Sequence, residues 1–111
     1  MQNVQVVKIQ VPIDYEKIVD FCQRWQITEF ALFGSVLRDD FRPNDSDIDV
    51  LVVFADGVSK TIGNLLDMEE ELTEIFGRDV DLVDRRGIEQ SPNYLRRKAI
   101  LNSAKVIYAA S

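Results

Sequence analysis

Hydrophobic and polar positions along the chain follow two periods, and the points where one gives way to the other divide it into alternating helices and strands. Val4 to Val11 is rich in β-branched residues and partly alternating, which predicts a short N-terminal strand, or an arm serving an interface, before the break at Pro12. From Asp14 to Trp25 the apolar residues Ile18, Phe21, Cys22 and Trp25 recur at helical spacing, with Asp14 standing as N-cap. Phe30 to Phe33 reads as a buried strand that stops at Gly34. A short helix is expected over Ser35 to Phe41, then a turn through Arg42, Pro43, Asn44 and Asp45.

Asp47 to Phe54 is the strongest strand pattern. Val50 to Phe54 is apolar at every position, which suits a central strand covered on both faces. Thr61 to Phe76 predicts an amphipathic helix whose apolar side holds Ile62, Leu65, Leu66, Leu72, Ile75 and Phe76. Glu69, Glu70 and Glu71 read as its solvated face, and Gly77 ends it. Asp79 to Val83 is a further strand, Asn93 to Leu101 a short helix and Val106 to Tyr108 a last strand. Cys22 and Trp25 read as part of a core helix face, and Tyr94 and Tyr108 as packing residues or, as the other reading, interface anchors. The order of elements predicts an α/β (α+β) fold: one domain over residues 1–111, with a small mixed β-sheet flanked by helices.

Composition then narrows the chemistry. The 111 residues are 46% hydrophobic and 29% charged, the profile of a soluble globular protein. No apolar run approaches the roughly 20 residues that span a bilayer, and the first ten residues lack the form of a secretory signal. A lone cysteine, Cys22, cannot form an internal disulfide, so a reducing, cytoplasmic setting is expected. The absence of histidine excludes His general bases, Ser-His-Asp and Cys-His nucleophile systems, and most zinc sites. A bound metal would have oxygen ligands, favouring magnesium, manganese or calcium.

The net charge of −6 is unevenly spread. Residues 1–77 hold 15 acids and 6 bases, whereas residues 78–111 hold 4 acids and 7 bases. An acidic whole argues against a protein that coats nucleic acid. Arg85, Arg86, Arg96, Arg97 and Lys98 in the basic segment read as a solvated face that could also meet a triphosphate or an acidic partner.

Three places carry candidate chemistry. A glycine leaving a strand allows close backbone approach to a ligand, and Ser35 beginning a helix would direct free N–H groups at a phosphate. Such a dipeptide is also an ordinary turn and cap. Asp47 and Asp49, two apart on a strand, share a face with Cα atoms about 6.6 Å apart. Their mutual repulsion at the mouth of an apolar strand is a cost that a divalent cation would relieve. Asp81, between Val80 and Leu82-Val83, is expected inside a buried strand, with Asp79 a solvated competitor on the same face. Three acids beside a phosphate-binding turn suit two-metal phosphoryl chemistry.

Gly34-Ser35, eleven residues, Asp47-Ile48-Asp49 and later Val80-Asp81-Leu82-Val83 together resemble the DNA polymerase β-type nucleotidyltransferase superfamily. Leu32 to Arg38 with Ser46 to Val52 is similar in detail to its minimal nucleotidyltransferases. The resemblance spans about Phe21 to Tyr108 and implies a palm-like fold. It implies that Asp47 and Asp49 bind both of two magnesium ions, and that Asp81 ligates the catalytic ion and helps activate the attacking hydroxyl. Gly34 and Ser35 would hold the triphosphate of ATP, and Arg38 would touch phosphate or pair with an acid. Asp39 stands where many relatives have glycine. The resemblance further implies an antitoxin that transfers AMP to a tyrosine of a HEPN-domain ribonuclease toxin. The other readings are a passive antitoxin that acts by binding and a small-molecule nucleotidyltransferase.

Overall fold

An unbroken apolar run such as Val50–Phe54 needs cover on both faces, so its strand must lie inside a sheet. The computed structural model describes residues 11–37 and 47–110, apart from the side chain of Ser35. In it the run forms part of β2 (Ile48–Phe54), flanked by β1 (Ile27–Phe33) and β3 (Val80–Asp84). With β4 (Lys105–Ala109) these make a four-stranded sheet in the order β3-β2-β1-β4. β2 is parallel to β3 and antiparallel to β1, and β4 is antiparallel to β1, so the sheet is mixed as expected.

Among the described residues four helices surround it: α1 (Tyr15–Arg24), α2 (Ile62–Phe76), α3 (Arg85–Glu89) and α4 (Tyr94–Ser103). Alternation along the strands assigns their side chains to two layers. Phe30 and Leu32 of β1, with Ile48, Val50, Val52 and Phe54 of β2, join Ile18, Phe21 and Cys22 of α1 and Met68 and Leu72 of α2. Ala31, Phe33 and Leu51 point the other way and meet Ile88 of α3 and Ile100 of α4. The second layer is thinner, and α3 had no counterpart in the apolar pattern. Among the described residues no polar or charged residue is buried, and no helix is long and apolar enough to cross a membrane.

Local chemistry explains where the helices stop. The Asp14 carboxylate accepts from the Lys17 N–H, as an N-cap should. Thr61 Oγ1 accepts from the Asn64 N–H while Asn64 Oδ1 accepts from the Thr61 N–H, a reciprocal capping box. Gly77 closes α2 at φ 71°, in the left-handed region that glycine adopts without a Cβ penalty. β3 follows and runs parallel to β2, a pairing that requires a crossover such as α2.

Several expectations are corrected. Ile62 and Leu66 of α2 are exposed, at 78% and 59%, and Met68 is buried instead. Two residues along a helix turn by about 200°, so Leu66 faces nearly opposite Met68. The glutamates of α2 are not all solvated. Glu69 accepts from the Leu82 N–H of β3 at 2.9 Å. Glu71 accepts from Trp25 Nε1 at 2.9 Å and from the Arg24 guanidinium. Tyr94 is exposed rather than packed, with Arg97 and Lys98 over its ring, whereas Cys22 is buried and Tyr108 packs against the core. The expected strand Val4 to Val11 falls, except for Val11, outside the described residues, as does the turn at 42–45. The expected helix after Gly34 is a 3₁₀ turn over Gly34–Leu37; its continuation to Phe41 also lies outside them.

Glu71 therefore ties α1 to α2. The Arg24 hydrogen bond, with a further one from Trp25, holds its carboxyl below the usual carboxylate range against the opposing effect of burial. A carboxyl depressed in the folded state contributes stability that is present above its unfolded pKa and lost as pH falls through the folded value. Glu71→Ala is expected to lower stability at pH 7 by about 1 kcal/mol through the unpaired Trp25 N–H alone. In chemical denaturation series the gap to wild type should narrow below pH 4.5, the ordinary value for this group. A gap unchanged down to pH 3 would contradict a charged contact.

Candidate active site

The site begins with register. Phe33, the last residue of β1, is the cross-strand partner of Asp49, and Asp49 is in turn level with Asp81 of β3. Adjacent strands lie about 4.8 Å apart, so the two aspartates are immediate neighbours across a parallel pair. Both have the parity of Leu51 and Val83, and so belong to the face covered by α3 and α4.

Gly34 follows Phe33 and turns the chain at φ +75°. A Cβ built there would overlap Asp49 Oδ2 and lie 3.3 Å from Asp49 Cγ. Conformation and space thus both demand glycine, and its bare Cα lets the turn press against the Asp49 carboxylate. The 3₁₀ turn Gly34–Leu37 carries the chain away, anchored by fully buried Val36.

A cavity of about 410 Å³ opens at this end of the sheet, lined by Phe33, Gly34, Asp49, Asp81, Arg96, Ala99, Ile100 and Ser103. Four of these, at positions 96, 99, 100 and 103, share one face of α4 at helical spacing. Ile100 packs that helix onto Phe33, Ala31 and Leu51. The cavity therefore has an apolar floor, a carboxylate wall from the sheet and a wall from α4.

The structure brings Gly34, Asp49 and Asp81 together. It does not bring Asp47 into the cavity lining; Asp47 lies just before β2 and is exposed, though alternation gives it the parity of Asp49. Asp81 is likewise exposed, which corrects the expectation of a buried strand. β3 is the edge of the sheet, and beside Asp81 the cavity takes the place of helical cover. Asp79, its competitor, is exposed and does not line the cavity. Ser35 lies in the 3₁₀ turn, and Arg38 falls outside the described residues.

Among the described residues, no three carboxylate or thiol side chains are already gathered as a metal cage. Two carboxylates on one cavity wall, with Asp47 at the entrance to the same strand, nonetheless form an oxygen-donor set suited to a hard divalent cation. A second cavity of about 480 Å³ lies between α1 and α2, lined by Asp14, Asp20, Arg24 and Glu71 among others. There Arg24 is bonded to Asp20 and to Glu71, so its charges answer one another rather than a ligand.

Sequence reasoning did not identify the α4 wall. Arg96 was visible only as one of several basic residues. The available signal was the spacing of Arg96, Ala99, Ile100 and Ser103, with small side chains where a helix face meets open space.

Comparison with known proteins agrees with this geometry. Residues 16–107 match the model of the nucleotidyltransferase domain. A Methanocaldococcus jannaschii protein, named as a protein adenylyltransferase, is 32% identical over 88 residues, covering 79% of this chain and 87% of the relative. A solved minimal nucleotidyltransferase superposes with TM-score 0.63 at 32% identity, covering 82% of this chain and 86% of that one. The fold is also that of a complex of a tri-AMPylated Shewanella oneidensis HEPN toxin with its MNT antitoxin. There the TM-score is 0.59 at 23% identity, covering 86% of this chain and 70% of that one. The family match covers well over half of the chain and contains Gly34, Asp47, Asp49 and Asp81, and the chain belongs to the nucleotidyltransferase domain family.

Proposed function

We propose that this chain transfers an adenylyl group from ATP to a hydroxyl, most simply a tyrosine, of a HEPN-type ribonuclease toxin, and so acts as its antitoxin. The observation that carries this reading is the register match of Asp49 and Asp81 beside the bare Cα of Gly34. The adenylyltransferase name of the M. jannaschii relative supports the reaction. The complex of an MNT antitoxin with a tri-AMPylated HEPN toxin supports the acceptor.

The reaction forms a bond between the acceptor oxygen and the α-phosphorus of ATP, and breaks the α–β phosphoanhydride so that pyrophosphate leaves. Magnesium, held by Asp47, Asp49 and Asp81, would neutralise the triphosphate and the charge developing on pyrophosphate. Gly34 and Ser35 would present the backbone of their turn to the phosphates. Asp81, exposed on an edge strand, is accessible to an acceptor from another macromolecule and helps take up its hydroxyl proton.

Two outcomes are expected. Calorimetric titration should show ATP binding in magnesium that is lost in EDTA and in Asp49→Asn. Equal affinity with and without metal would overturn the carboxylate assignment. Asp81→Asn should leave the metal-free protein as stable as wild type or slightly more so, because like charges on neighbouring strands repel. A marked fall in its melting temperature would mean that Asp81 is structural.

Incubation of the HEPN partner with this protein, ATP and magnesium should raise the partner's intact mass by whole adenylyl groups and release pyrophosphate. Asp49→Ala should abolish the mass change while the two proteins still co-purify. A partner neutralised without any mass change would replace the enzyme with a passive binder.

A further inference from the structure

Arg96 is set apart from Arg85, Arg86 and Arg97 by what its side chain does. Arg85 pairs with Glu29 at 2.7 Å and with Glu89, and Arg86 donates to the Phe54 carbonyl at 2.9 Å and faces Asp56. Arg97 donates to the Ser91 carbonyl at 2.8 Å and lies over the Tyr94 ring. Arg96 uses only its backbone N–H, which the Asn93 side chain accepts in capping α4. Among the described residues its guanidinium pairs with no carboxylate, and it lines the cavity that Asp49 and Asp81 face.

The helix is held so that this placement is not incidental. Ile100, one turn on, is 8% exposed and fixed against Phe33 and Leu51, which sets the rotation of α4 about its axis. Ala99 and Ser103, on the same face, leave room beside the guanidinium where larger side chains would close the cavity. Among the described residues that line the cavity, Arg96 is the one cation, opposite two carboxylates. Apposed carboxylates and an uncommitted guanidinium across one cavity suit a ligand carrying metal-bridged and bare phosphate oxygens together.

We infer that Arg96 binds the β- and γ-phosphates of the nucleotide, and steadies the pyrophosphate as it leaves. The inference rests on the adenylyl-transfer reading and adds a phosphate ligand from α4 to the turn at Gly34-Ser35. The planar guanidinium fork of Arg96 matches two phosphate oxygens in a fixed geometry that the ammonium of lysine does not offer.

The test is calorimetric titration of wild type, Arg96→Ala and Arg96→Lys with ATP and with AMP, in magnesium. Arg96 is exposed and belongs to neither hydrophobic cluster, so both variants should melt with the wild type. Arg96→Ala should weaken ATP by roughly tenfold or more, the effect of losing a charge-assisted contact. AMP, lacking the β- and γ-phosphates, should change by less than about twofold, and Arg96→Lys should recover part of the loss. Unchanged ATP affinity in Arg96→Ala, or equal losses for ATP and AMP, would overturn the assignment while leaving adenylyl transfer standing. A change confined to the KM of the acceptor protein would overturn it too, by moving Arg96 to the acceptor side. Absence of ATP binding by wild type would instead remove the reading on which it rests.

Discussion

The arrangement depends on one residue that two strands approach from opposite directions. Asp49 is level with Phe33 on its antiparallel side and with Asp81 on its parallel side. A one-residue slip in either pairing would send a carboxylate to the opposite face, into the apolar layer of Ile48, Val50 and Val52. Burying a charge there without a partner is expensive, so the two-layer core and the position of the carboxylates enforce each other. Gly34 completes the constraint, because a Cβ there would push the Asp49 carboxylate from its place and would be strained at φ +75°.

The rest of the molecule holds that register. α2 spans the crossover between β2 and β3, with Met68 and Leu72 seated in the core. Its Glu69 accepts from the Leu82 N–H, one residue past Asp81, and so tethers the edge strand that carries the second carboxylate. Its Glu71 binds α1 through Trp25 and Arg24. On the opposite face, Ile88 and Ile100 give a lighter cover and leave the space that becomes the cavity. The thick layer supplies stability, and the thin layer leaves access.

Much of this was legible because burial writes itself into the pattern of apolar residues. The unbroken run of β2 announced a central strand, and the caps at Asp14 and Gly77 marked helix ends by their own chemistry. The grouping of Gly34 with Asp49 and Asp81 was expected from the resemblance of their motifs to the family's, which also placed Asp47 with them. What the pattern could not reveal was which strand is an edge. Val80, Leu82 and Val83 suggested burial for Asp81, yet an edge strand can be apolar on its inner face and open beside it. The five-residue helix α3 is too short to show a period, and the cavity face of α4 mixes Arg96, Ala99, Ile100 and Ser103, which no hydrophobic periodicity brings together. Glu69 and Glu71 looked like surface charge because their partners, a strand N–H and an indole, are remote in sequence.

The central claim is that Asp49 and Asp81 share a cation at the carboxylate wall of the cavity. It is tested most directly by a crystal structure with manganese and a non-hydrolysable ATP analogue, using anomalous scattering to locate the ions. The account predicts an anomalous peak bridging the Asp49 and Asp81 carboxylates, beside the α-phosphate and close to the Gly34 turn. Manganese found only elsewhere, or a nucleotide bound in the cavity with no ion touching either carboxylate, would contradict it.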